Sequence, residues 1–137
     1  GGALGRAGRQ AAAGNAVEVA YIVDYLTGRR REPRFHEVTV ALCAEMLVLG
    51  GIAPDLPTAR TRIEAAITSG QAAEIFARMV RALGGPDDLL ERPERHLAPA
   101  SVIVEVAPER PGVVHAVANR EIGLAIVRLG GGRTHPD

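Results

Sequence analysis

Apolar positions recur at helical spacing through the first two thirds of the chain and change period near its end. After Asn15, an Asx cap with Glu18 three residues on, Val19, Ile22, Val23 and Leu26 fall at i, i+3, i+4 and i+7. That is one face of a helix, which Thr27-Gly28 would end. A second helix is expected from Pro33, with Phe35, Val38, Leu42, Met46 and Leu49 as its core stripe and Gly50-Gly51 as its stop. A third opens after Asp55 and carries Ala59, Ile63, Ala66 and Ile67. A fourth runs through Ala72, Ile75, Phe76, Met79, Val80 and Leu83 to Gly84-Gly85-Pro86, with Phe76 and Met79 read as core. Ser101 to Val106 then reads SVIVEV, half alternating and β-branched, and predicts a strand. PERPG predicts a turn, Gly112 to Val117 a second short strand, and Asn119 the cap of a last helix reaching Leu129.

The pattern predicts a mostly α chain followed by a small α+β segment. Residues 1–14 form an irregular lead-in, 15–90 a helical part, and 91–137 a linker followed by an incomplete strand-containing domain. The linker expectation rests on DDLLERPERHLAPA, whose charge and proline content mark a boundary. Two strands and one helix are too few to stabilise themselves.

Composition narrows the chemistry. The chain has 137 residues, 47% of them apolar, and its 16 basic side chains balance 16 acidic ones. A net charge of zero argues against a nucleic-acid partner, which demands surplus positive charge. Every basic residue is Arg, so Schiff-base chemistry, a P-loop lysine and a carrier lysine are excluded from these residues. One cysteine, Cys43, allows no internal disulfide and reads as a small buried hydrophobe. The sequence shows neither a membrane-spanning run nor a secretory leader, so a cytoplasmic setting and no membrane partner are expected.

No group of residues reads as catalytic, cofactor-binding or metal-ligating from spacing alone. Ser69 and Ser101 lack elbow glycines, and His36, His96, His115 and His135 share no ligand spacing. His36 and Glu37 are expected to be solvated, His115 half-buried, and Glu105 and Glu109 to flank a turn. Arg29-Arg30-Arg31 reads as a solvated loop rather than an anion site. The Gly130-Gly131-Gly132-Arg133 run follows a helix, where exposed carbonyls repel anions, and so reads as a chain reversal.

Longer strings carry more information. AGNAVEV at 13–19, YLTG at 25–28, EVTVALCAEMLVLGG at 37–51, SGQAAEIFARMVRALGGP at 69–86 and IGLAIVRLGGGR at 122–133 resemble the pyrimidine-nucleoside phosphorylase family. The likeness is strongest to its thymidine-cleaving members. Anthranilate phosphoribosyltransferases, with a related helical and sheet architecture, match less well.

The resemblance implies a parent α/β fold, a homodimer, and reversible phosphorolysis of a pyrimidine (deoxy)nucleoside to free base and (deoxy)ribose 1-phosphate. Phosphate would be the co-substrate, with no organic cofactor. The family's lysines, histidine and serines that serve the reaction lie before the AGNAVEV string, so no catalytic residue is expected in this chain. The isolated chain is expected to be inactive. A monovalent cation is held in some members by backbone carbonyls before that string and by a glutamate after it. These positions fall on the Ala12 carbonyl and on Tyr21, which supplies no carboxylate. Helix faces that would cover the parent sheet are left bare, so self-association is expected, relieved by the complementary half. The alternative is a non-catalytic helical interaction module derived from the same family.

Overall fold

Each of the first helices begins and ends where local chemistry dictates. The computed structural model describes residues 15–131. Its elements are α1 (Asn15–Leu26), α2 (Pro33–Leu49), α3 (Leu56–Thr68), α4 (Gln71–Ala82), α5 (Pro93–His96) and α6 (Asn119–Arg128). Glu32 caps α2: its carboxylate accepts from the Phe35 amide at 2.7 Å and the Arg34 amide at 3.2 Å, while Pro33 fills the first turn. Asp55 caps α3 by accepting from the Thr58 amide at 2.8 Å. Hydrogen bonds from the Thr58 side chain and then its amide hold the Asp55 carboxyl below its ordinary 3.8. Asn15 is the first helical residue of α1, and the position before it lies outside the described residues.

The end of α4 shows why paired glycines stop these helices. Gly84 adopts φ +82°, its amide donates to the Arg81 carbonyl, and the Gly85 amide donates to the Val80 carbonyl at 2.9 Å. This double bond pattern satisfies two carbonyls that the helix leaves open. A Cβ on Gly85 would sit 2.6 Å from Val80 Cγ1, so the turn also demands its second glycine.

The core forms where α2 packs on α3, α3 on α4, and α1 on α4. Tyr25, Val40, Ala44, Ala53, Ala59, Ile63 and Ile67 are buried together, with Phe35, Cys43 and Leu47 packed against them. Partial burial of Cys43 against this cluster agrees with its reading as a small hydrophobe. Aromatic edges lock α1 to the start of α2: the Tyr21 and Tyr25 rings each meet Phe35 at 5.0 Å between centroids, nearly perpendicular.

Two expectations need correction. Of the stripe expected to bury α2, Phe35 packs against the core, but the rest is its exposed face, with Val38 41%, Leu42 63%, Met46 69% and Leu49 85% accessible. The buried face is Val40 and Ala44, flanked by Cys43 and Leu47. Small residues won because α3 approaches closely: Ala44 and Ala59 are both fully buried. Likewise Ile75, Met79 and Leu83 of α4 face solvent, while Ala72 and Ala73 turn inward.

The second correction concerns the strands. Among the described residues there is no β-strand, and 101–118 run without regular structure. Val102, Ile103, Val104, Val106 and Val113 are all more than 70% exposed. A lone two-stranded ribbon is marginal in water, and no helix covers either face of this one. Pro108 and Pro111 in the intended turn also remove two amide donors. The segment read as a linker carries some structure of its own. Leu89 is buried, α5 forms a single turn, and His96 Nε2 meets Asp88 at 2.5 Å.

Candidate functional site

The best-organised polar group sits where α1, α2 and α3 meet. Tyr25, in the last turn of α1, is 3% exposed, and its hydroxyl lies 2.9 Å from His36 Nδ1 in the first turn of α2. His36 Nε2 lies 2.8 Å from a Glu64 carboxylate oxygen on α3. A carboxylate only accepts, so Nε2 carries the hydrogen; in the neutral imidazole Nδ1 then accepts from the tyrosine. Arg31 closes the group from the α1–α2 loop, donating through Nε to the Tyr25 carbonyl at 3.4 Å and through an NH2 nitrogen to the Ile67 carbonyl at 3.2 Å. Its charge thus sits at the carbonyl ends of α1 and α3, where the helix dipoles favour a cation.

Hydroxyl, imidazole and carboxylate in a row suggest an activated nucleophile. The surroundings exclude that use. Burial is the main cause that raises the Tyr25 phenol above its ordinary 10.0; Arg31 opposes it and Glu64 adds to it. The phenol therefore stays neutral, and the residue is only 3% exposed. What the three groups do is tie three helices together.

Beside them lies an apolar cavity of about 440 Å³, lined by Tyr25, Thr39, Cys43, Leu47, Ile63 and Ile67 among others. Its one charged lining residue, Arg62, donates to the Ile52 carbonyl. A phosphate dianion needs several fixed cationic or N–H donors in a dry cleft, and this cavity has none to spare.

The remaining candidates are scattered. Arg29-Arg30-Arg31 is the exposed loop expected, and within it Arg29 pairs with Asp24 at 3.5 Å and donates to the Leu90 carbonyl, while Arg31 donates to the Ile67 carbonyl. His36 is a tie rather than a solvated side chain; residue spacings of 11 and 28 to its partners give no local signal for it. His115 is exposed, not half-buried, because the strand that would have sheltered it is absent. Glu105 and Glu109 are both exposed, and Ser101 lies in an open bend. No group of three potential metal ligands occurs among the described residues. Ala12, the expected carbonyl donor to a cation, and Arg133 and His135 lie outside the described residues. Tyr21, which takes the expected glutamate's place, is 8% exposed, and its hydroxyl has no hydrogen-bond partner among the described residues.

Gly130 follows α6 with φ +82°, its amide donating to Val127 and the Gly131 amide to Ile126. That is a helix stop, as the sequence suggested, and both amides are already used. Among the described residues no helix is long and apolar enough to cross a membrane.

No protein-family model matches the chain. Individual relatives do. The thymidine phosphorylase of Burkholderia cenocepacia (strain HI2424) is 58% identical over 125 residues, 91% of this chain and 28% of that protein. That of Burkholderia orbicola (strain MC0-3) matches to the same extent. The thymidine phosphorylase of Burkholderia lata is 58% identical over 122 residues, 89% of this chain. The matched stretch covers nearly the whole chain. By sequence the chain is a homologue of part of thymidine phosphorylase, spanning 28% of the length of these relatives.

Proposed function

We propose that the chain is the helical scaffold segment of a pyrimidine-nucleoside phosphorylase and carries none of its reacting groups. The observation that carries this reading is 58% identity to thymidine phosphorylases over 91% of the chain. The parent reaction is attack of phosphate on the anomeric carbon of a pyrimidine (deoxy)nucleoside. It breaks the glycosidic bond and yields free base and (deoxy)ribose 1-phosphate, reversibly. Phosphate is the co-substrate, no organic cofactor takes part, and the parent protein works as a cytoplasmic homodimer. A cation bound through Ala12 would lack its acidic partner, since Tyr21 offers a buried phenol instead.

The scaffold role follows from what the side chains are committed to. Arg29 and Arg31 are tied to backbone carbonyls, and the cavity beside Tyr25 is apolar. Loss of a single transition-state donor typically costs about 100- to 1000-fold in rate, and here the whole set is elsewhere. The isolated chain is therefore expected to release no thymine from thymidine, and no uracil from uridine, at any phosphate concentration. Turnover above background that vanishes on replacing Arg29 and Arg31 would overturn this reading.

A further inference from the structure

We propose that this chain has exchanged the monovalent-cation site implied by its resemblance for an aromatic clasp, closed by Tyr21, and that it is stable without the ion. The inference rests on homology to thymidine phosphorylase and stands apart from the scaffold role above.

The implied site takes backbone carbonyls before the AGNAVEV string and a glutamate after it, where this chain has Tyr21. A cation leaves water only where fixed charge or a full shell of oxygens replaces its hydration. Tyr21 supplies neither. Its phenol is uncharged, since burial first, and the Glu32 charge next, raise it above its ordinary 10.0. Its buried hydroxyl has no partner among the described residues, yet one neutral oxygen does not offset a cation's charge. The neighbouring charges do not make up the difference. Both Glu32 oxygens accept from the amides that open α2, at 2.7 and 3.2 Å. Asp24, three residues after Tyr21, pairs with Arg29 at 3.5 Å, and Glu18, three before it, is exposed. The Arg30 guanidinium is close enough to act on the phenol and would repel a cation there.

The tyrosine ring takes over the holding. It meets Phe35 edge-on, with 5.0 Å between centroids and 89° between planes, and Phe35 meets Tyr25 at 5.0 Å and 83°. The three rings join α1 to the first turn of α2 through apolar and edge-to-face contact, which needs no ion. A carboxylate at position 21, beside Phe35, would need a cation to offset its buried charge. A phenol has no charge to offset. One residue difference thus removes both the ion's ligand and the need for the ion.

The test follows thermal unfolding in potassium, sodium and choline chloride at equal ionic strength. It uses this chain and a chimera in which it replaces its counterpart in the Burkholderia cenocepacia thymidine phosphorylase. A bound ion raises Tm by several degrees in a domain of this size. The expected result is the same Tm in all three salts for each protein, and equal rates of thymidine cleavage by the chimera. Tyr21→Glu in the chimera should lower Tm in choline chloride and regain the loss in potassium chloride. A Tyr21→Glu chimera whose Tm ignores potassium overturns the assignment of position 21. A Tm that rises with potassium in either unsubstituted protein overturns the proposal and leaves the scaffold reading standing. Thallium(I), a potassium mimic, gives a readout that does not depend on the variant folding. Sharp thallium NMR lines with the unsubstituted chimera support the lost site, and saturable broadening overturns it. A chimera that does not fold, or that folds and cleaves no thymidine, overturns the scaffold reading alone, and the Tm of this chain still decides the proposal.

Discussion

Tyr21 is the residue whose environment departs furthest from what its chemistry prefers. Its ring packs on Phe35, while its hydroxyl is buried without a partner among the described groups. Burial chiefly, and the Glu32 charge next, raise its phenol above 10.0, with Arg30 opposing. A folded-state value above the unfolded one means the native state holds its proton while the unfolded chain gives it up. That stability is intact below pH 10 and drains away as pH rises beyond it. Tyr21→Phe removes the unsatisfied hydroxyl and the titration together. It should leave stability at pH 7 unchanged or raise it by up to about 1 kcal/mol. It should also shrink the alkaline loss, both measured by urea unfolding between pH 7 and 11. Destabilisation at pH 7 would mean the hydroxyl has a partner after all. Nothing in the spacing of the sequence marks this site. The Tyr25–His36–Glu64 tie was illegible for the same reason: its members come from three helices, and only packing brings them together.

At the scale of the element, α2 shows what periodicity can and cannot read. Its existence and its start at Pro33 and stop at Gly50 were legible, since a proline and a glycine act locally; the Glu32 cap was not read. Which side faces inward was not, because apolar residues occupy both sides and the bulkiest ones took the wrong vote. Close helix packing selects Ala44 over Met46, a preference visible only once α3 is in place. Val40→Ala should therefore destabilise the isolated chain by about 2 kcal/mol through lost burial and a cavity. Met46→Ala should change it by less than about 0.5 kcal/mol. Thermal or urea unfolding of both variants decides the matter; equal losses would mean the exposed face is already covered in solution.

For the whole molecule, the contrast lies between helices that find partners within the chain and the segment from 101 to 118 that does not. The β-branched run was read as strands, and its composition does favour them. Composition cannot supply the neighbouring strand, and a ladder without one leaves amides bonded to water. Among the described residues no amide from 101 to 118 donates a backbone hydrogen bond. Those of α2 and α3 are held within helices around the buried Val40, Ala44, Ala59 and Ile63. Local opening should then cost almost nothing in the first region and approach the full unfolding energy in the second. Hydrogen–deuterium exchange of the isolated chain should show 101–118 exchanging at the rate of an unfolded peptide and the centres of α2 and α3 protected many-fold. In a chimera where this chain replaces the matched 125 residues of the Burkholderia cenocepacia thymidine phosphorylase, protection should appear at alternate amides of 102–106, because an edge strand bonds through every second residue. Protection of 102–106 already present in the isolated chain would mean that the SVIVEV run pairs without help, and that the segment is a finished domain rather than an edge awaiting its sheet.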